Sequence, residues 1–239
     1  MRILVIIPTY NERENLPKII RKIQNLGIKN LDILIIDDNS PDGTGKLADE
    51  YSHKFRNIFV IHREKKMGLG TAYKTGFKYA IEKGYDYVFE MDADLSHDPD
   101  DIPRFLKEIR RVDLVIGSRY CKGGKVVNWP SSRRLLSFLA NLYAKILTGV
   151  PINDMTSGYK CYRRKVIENY DYDKLRAEGY GFQIETVFYA FKKGFKLKEI
   201  PIIFHDRVEG KSKLGRKIVY EAFFRVLSLC LHDRRWLVR

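Results

Sequence analysis

The first half of the chain alternates short apolar, β-branched runs with amphipathic stretches. "RILVIIP" is followed by "ENLPKIIRKIQNL", "LDILIID" by "GTGKLADEYSHKF", "NIFVIH" by "GTAYKTGFKYAIEKG" and "DYVFEMD" by "PDDIPRFLKEIRR", and "DLVIGSR" closes the series. Continuous apolar runs of this length predict strands buried on both faces, and apolar spacings of three and four predict the helices between them. Strand, helix, strand, helix is the rhythm of a parallel α/β sheet with right-handed crossovers. The second half loses that rhythm. "SSRRLLSFLANLYAKILTG" and "GFQIETVFYAFKKG" predict helices, the latter ending at Gly194; "KLKEIPIIFHDR" predicts a strand, and "RKIVYEAFFRVLSLCL" a closing amphipathic helix. With no repeat, low-complexity tract or linker, and with 44% hydrophobic residues in 239, the chain reads as one domain with a sizeable core.

Ligands of such sheets bind beyond the carboxyl ends of the strands. The notable polar groups fall there: Pro8, Tyr10 and Glu12 after the first strand, Asp37 and Asp38 after the second, Asp92 and Asp94 after the fourth, and Arg119 after the fifth. Within "YVFEMDADLSHDPDDIPRFL", Asp98 before Pro99 reads as a helix N-cap, and Asp100 and Asp101 fall in the first turn, where the helix dipole favours negative charge. Asp92 and Asp94 need another reason. Two carboxylates closing a buried strand repel each other unless a cation joins them, and Mg²⁺ or Mn²⁺ takes such oxygen ligands together with substrate phosphates. "NSPDGTG" is turn chemistry, but Asp37 and Asp38 at the strand tip are placed to accept hydrogen bonds from a nucleobase or ribose.

Charge adds an asymmetry. Residues 121–239 carry 24 basic and 11 acidic side chains, so nearly all of the formal charge of +14 is C-terminal. An anionic partner explains this (nucleic acid, a membrane surface or a phosphorylated substrate), as does a solvated lysine-rich surface. A nucleic-acid-binding α/β protein is the rival of another class, and the strand-end acids oppose it, because they repel a phosphate backbone. Cys121, Cys161 and Cys230 are odd in number and far apart, which fits a reducing cytosol better than a disulfide frame or zinc site. The opening apolar run is too short for a signal peptide, and residues 218–231, broken by Glu221 and Arg225, fall short of the roughly 20 residues a spanning helix needs.

The motifs "VIIPTYNERENLPKII", "IIDDNSPDGT", "GLGTAYKTGFKYA", "EMDADLSHDP" and "VIGSRY" occur in an order and spacing that resembles family 2 glycosyltransferases of the GT-A fold. "MTSGYKCYRR", "EGYGFQIET" and "EIPIIFHDRVEGKSKLG" extend the resemblance, over residues 3–216, to the dolichyl-phosphate (polyprenyl-phosphate) mannosyltransferases. The resemblance implies a nucleotide-sugar-binding, Rossmann-like half at 1–120 and an acceptor-binding part with a flap loop at 121–217; the amphipathic pattern adds a C-terminal helix at 218–239 as a candidate membrane contact. It implies that Pro8, Tyr10, Glu12, Asp37 and Asp38 form the base and ribose pocket, and that Asp92, Ala93 and Asp94 meet the donor diphosphate, with Asp92 and Asp94 on Mg²⁺ or Mn²⁺. Arg119, Arg207 and Lys213 then grip donor phosphates, Asp94, Arg119 and Arg207 being the catalytic set, and Arg133 and Ser137 hold the acceptor phosphate. Where some members carry a further glutamine ligand two residues after the second aspartate, this chain has Ser96, as do members with "DADLSH".

The implied reaction is inverting transfer of mannose from GDP-mannose to dolichyl or another polyprenyl phosphate, by an enzyme peripheral to the cytosolic membrane face; UDP-glucose is the alternative donor. Small membrane-anchoring subunits are further implied partners, and nucleic acid is not one. A phosphomonoester has a second pKa of about 6 and is already ionised at neutral pH, so no general base is required. The histidines, His53, His62, His97, His205 and His232, are accordingly scattered, and His97 and His205 are expected to be structural. Flanking Arg133, Arg134, Arg234, Arg235 and Trp236 resemble interfacial anchors for the two C-terminal helices, which either pack on the core or meet the membrane.

Overall fold

A computed structural model describes residues 1–206 and 223–229. The strands are β1 (Ile3–Thr9), β2 (Leu31–Asp37), β3 (Ile58–His62), β4 (Tyr87–Glu90), β5 (Leu114–Ser118), β6 (Lys125–Val127), β7 (Lys160–Arg163), β8 (Leu197–Pro201) and β9 (Ile203–His205). The helices are α1 (Leu16–Asn25), α2 (Thr44–Lys54), α3 (Leu69–Glu82), α4 (Ile102–Glu108), α5 (Ser131–Thr148), α6 (Arg164–Glu168) and α7 (Gly179–Lys192), and residues 223–229 are also helical. The five predicted strands of the first half and the helices between them all form.

The main sheet has seven strands in the order β3-β2-β1-β4-β7-β5-β8, mostly parallel. The exception is β7, which runs antiparallel to both neighbours and pairs Glu90 with Lys160 across the β4 contact. The sequence did not reveal this strand, which is four residues long and carries charge at both ends. Nor is "KLKEIPIIFHDR" one strand. Pro201 ends β8, Ile202 bonds both Ser118 and Lys125, and β9 leaves to pair with β6 in a separate two-stranded sheet.

The apolar strands serve two cores, as their unbroken runs require. In β1, Ile3, Val5 and Ile7 face α1 and α4, while Leu4 and Ile6 face α3 and α7. Gly76 in α3 permits that second contact, since a Cβ there would meet Ile6 at 2.6 Å. Each such side chain taken fully from water contributes roughly 1.5–3 kcal/mol. The sheet is thus a rigid platform, and its carboxyl edge presents the polar strand ends along one line.

Candidate active site

A cleft of about 420 Å³ runs along that edge, lined by Pro8, Tyr10, Glu12 and Asp38 at one end, Asp92, Ala93 and Asp94 in the middle, and Arg133, Gly158, Tyr180 and Gln183 at the other. The order follows the sheet: β2 and β1 supply the first group, β4 the second, and the segment entering β7 together with α5 and α7 the third. Of the residues singled out in the sequence, the structure therefore gathers Pro8, Tyr10, Glu12, Asp38, Asp92, Ala93, Asp94 and Arg133.

Asp37 is not among the lining residues. Its carboxylate accepts hydrogen bonds from Thr9 Oγ1 at 3.0 Å and from Ser40 N and Oγ at 3.0 and 2.6 Å, so it ties the turn to the strand instead. Asp38 does line the cleft, and Arg63 Nε donates to its Oδ1 at 2.5 Å while the Met67 amide donates to Oδ2 at 3.1 Å. Arg63, which also bonds Thr71 and the Gly68 carbonyl, thus joins the second strand tip to the start of α3. Neither Arg63 nor Lys66, whose ammonium lies 4.2 Å from the Tyr10 ring centroid at the cleft wall, stood out in the sequence. Their signal was only a basic run after β3.

Asp94 is 3% exposed, and its Oδ1 accepts from both the amide and the hydroxyl of Ser96, at 3.1 and 2.6 Å. Ser96 thus fixes the orientation of the Asp94 carboxylate. Asp92 is more open, with the His97 ring behind it: the Asp92 amide donates to His97 Nδ1 at 3.2 Å, and the buried imidazole stacks on Tyr159. Hard carboxylate oxygens on either side of Ala93 suit Mg²⁺ or Mn²⁺ that shares its remaining positions with substrate phosphates. Among the described residues no cluster of three His, Cys, Asp or Glu forms.

A smaller hollow of about 50 Å³ continues from Asp92 and Asp94 to Arg119, Trp129 and Arg133. Arg119 is buried and its charge is already met: Nε and Nη2 donate to the two Asp154 oxygens at 2.8 and 2.6 Å, and Nη2 also donates to Thr156 at 2.7 Å. Burial opposes the charge, but Asp154 outweighs burial and holds the guanidinium above its ordinary pKa. Arg133 stacks on Trp129, 4.1 Å from the ring centroid, and donates to Asp206 at 3.0 Å. Its Nε and the Trp129 Nε1 are buried donors without acceptors. Trp129 escaped the sequence reading because nothing but tertiary packing puts it here. Ser137 lies one turn beyond Arg133 on α5 but does not line either hollow. Arg207 and Lys213 lie outside the described residues.

Beneath the cleft floor, Glu90 and Lys160 are both fully buried, their charged atoms 3.7 Å apart. Burial pushes both toward their neutral forms, Glu90 up to about 7 against the pull of Lys160 and Tyr162, and Lys160 down to about 8 against the pull of Glu90.

Residues 4–171 match the family described as Glycosyl transferase family 2. The chain belongs to glycosyltransferase family 2. It is 45% identical over 226 residues to the undecaprenyl-phosphate mannosyltransferase of Micrococcus luteus, covering 95% of this chain and 93% of that protein. It is 47% identical over 235 residues to the polyprenol monophosphomannose synthase of Mycolicibacterium smegmatis, covering 98% and 88%. The fold is similar to that of glucosyl-3-phosphoglycerate synthase from Mycobacterium tuberculosis, solved with Mn²⁺, uridine diphosphate and glucosyl-3-phosphoglycerate, at a TM-score of 0.72 and 18% identity over 96% of this chain and 80% of that one. The expected GT-A architecture and glycosyltransferase class are thereby borne out.

Proposed function

We propose that this glycosyltransferase makes polyprenyl-phosphate mannose, taking the sugar from GDP-mannose and working at the cytosolic face of a membrane. One observation carries the reading. Arg133 reaches the cleft that holds Asp92 and Asp94, while the helix it begins, α5, turns Leu135, Leu136, Phe138, Leu139, Leu142, Ile146 and Leu147 to solvent. A phosphate site opening onto an apolar helix fits an acceptor with an anionic head and an isoprenoid tail, and a groove of about 460 Å³ beside Phe138, Leu142 and Ile146 gives the tail a path. The names of the relatives agree with this acceptor class. No described helix is long and apolar enough to cross a membrane, so α5 resting on the surface is the contact proposed. Small anchoring subunits would strengthen it.

In this reading Asp38, Tyr10 and Glu12 hold the nucleoside, and Asp92 and Asp94 hold Mg²⁺ or Mn²⁺, which offsets the charge of the donor diphosphate when bound. Arg133 and Trp129 hold the acceptor phosphate through donors that otherwise lack acceptors, with Ser137 next along the helix. Arg119, its charge met by Asp154, braces the wall behind them, and Arg207 and Lys213 are assigned to the donor phosphates. An ionised acceptor oxygen attacks the anomeric carbon in line, a bond to that oxygen forms as the bond to the nucleoside diphosphate breaks, and the configuration inverts. The decisive assay crosses radiolabelled GDP-mannose, GDP-glucose and UDP-glucose with dolichyl and shorter polyprenyl phosphates, with and without Mg²⁺ or Mn²⁺. Turnover confined to GDP-mannose supports the reading, and turnover of UDP-glucose alone replaces the donor.

A further inference from the structure

The far end of the cleft, beyond Asp92, has a floor with one buried hydrogen-bond donor that the protein leaves unmatched. Gln183 on α7 is 2% exposed and lines the cleft, and its Nε2 meets no acceptor in good hydrogen-bond geometry, although its amide lies near enough to the Glu90 carboxylate to help hold that group's charge. The orientation of the amide is determined. Lys160 can only donate, and it bonds the Gln183 backbone carbonyl at 3.0 Å and the side-chain Oε1, so the amide oxygen faces Lys160 and the nitrogen faces away. Lys160 is in turn held by Thr186 Oγ1 at 3.1 Å and by its cross-strand partner Glu90.

Gly158 supplies the space in front of that nitrogen. Its backbone is outside the left-handed region, so an L-residue fits it. A methyl group there would stand 3.4 Å from His97 Cε1 and 3.7 Å from both Asp92 Oδ2 and Gln183 Nε2, which are ordinary contact distances. Neither strain nor crowding by the protein explains a glycine. What the missing side chain does is keep open the gap between Asp92 and Gln183.

The order of groups along the sheet edge assigns that gap. With the nucleoside at Asp38 and the diphosphate at Asp92 and Asp94, the part of the donor that extends past Asp92 toward β7 is the sugar. We infer that Gln183 Nε2 and the space left by Gly158 form the subsite that binds a hydroxyl of the transferred hexose, making Gln183 a specificity-determining residue positioned by Lys160. This rests on the donor-site reading above.

Calorimetric titration of the full chain with Mn²⁺ present, using first GDP and then GDP-mannose and GDP-glucose, separates the two. Gly158→Ala and Gln183→Met should bind GDP within about twofold of the parent but lose about tenfold in GDP-mannose affinity, the measure of one hydrogen bond left unmade. The preference of the parent for one sugar over its epimer should shrink in both. Gly158→Ala leaves the Lys160 contacts intact, so it tests the gap even if Gln183→Met perturbs folding. Unchanged GDP-mannose affinity in Gly158→Ala, or equal losses for GDP and GDP-mannose, overturns the subsite while leaving the donor reading in place. A parent chain that binds GDP but gains nothing from the attached sugar also overturns it. Failure of the parent to bind any of the three overturns the donor reading and the subsite together.

Discussion

Helices α1 and α5 start at opposite ends of one cleft, and both obey the same helical spacing of apolar residues. In α1, which follows Glu12, Leu16, Ile19, Ile20 and Ile23 are all buried against the sheet. In α5, which begins beside Arg133, the buried residues are Asn141, Ala144 and Thr148, while Leu136 and Ile146 are 52% and 69% exposed. Asn141 bonds Thr156 and so ties α5 to the site through polar contacts rather than through its apolar stripe. The Glu12 end of the cleft is thus a by-product of the core, whereas at the Arg133 end the apolar side chains of α5 are left exposed. Periodicity finds an amphipathic helix, but which face is inside depends on what else the fold can offer as cover.

The largest effect should come at the donor end. Asp94→Ala should abolish metal-dependent transfer to any acceptor, long or short, with an unchanged thermal midpoint; retained turnover contradicts the metal assignment. Next in size is the direct contrast between the helices. Ile20→Ala should destabilise the protein by roughly 2–5 kcal/mol in urea denaturation, and Leu139→Ala by no more than about 0.5 kcal/mol. Comparable losses would mean that α5 is a core helix after all. Function should show the reverse: Leu139→Ser with Ile146→Ser should reduce co-sedimentation with anionic vesicles and turnover of long-chain acceptors in them, while sparing a short, water-soluble polyprenyl phosphate. Arg133→Ala should raise KM for the acceptor several-fold more than KM for the donor; a larger change in donor KM means that the two phosphate sites are interchanged.

The smallest expected effect concerns pH and lies away from both helices. Asp113 before β5 pairs with Lys165 at 2.7 Å and accepts from the Lys196 amide at 3.0 Å. Burial works against its ionisation, but Lys165, the Lys196 amide and Arg163 outweigh burial and hold the carboxyl below its ordinary 3.8. A depressed carboxylate adds stability above the unfolded value, and that stability is lost as pH falls through the folded one. The urea midpoint of Asp113→Asn should lie below that of the parent at pH 7, and the gap should narrow toward pH 3. A gap independent of pH would assign the loss to packing.

The strand ends were legible because a parallel sheet puts its site at a predictable edge, so Asp38, Asp92 and Asp94 could be picked out as polar residues closing apolar runs. Asp37 was not separable from Asp38, since adjacent residues of a strand point to opposite sides and the choice between turn and cleft was made by Thr9 and Ser40. Asp98 was: its side chain accepts from the Asp100 amide at 3.3 Å, as a local cap should. The closing helix was predicted from its pattern, and in its described part Val226 and Leu229 enter the core while Phe224 stays exposed.

The sequence by itself determined what is local or periodic: the alternating strands and helices, the caps and turns, and the acids waiting at strand tips. Only the tertiary structure decided what depends on residues far apart in the chain. It set β7 between β4 and β5, so that Lys160 meets Glu90 and holds the Gln183 amide at the cleft; it bound Arg119 to Asp154; and among the described residues it left much of the apolar face of α5 exposed. A side chain's period fixes only its direction relative to its own element, whereas its partners and its distance from water are fixed when the elements meet.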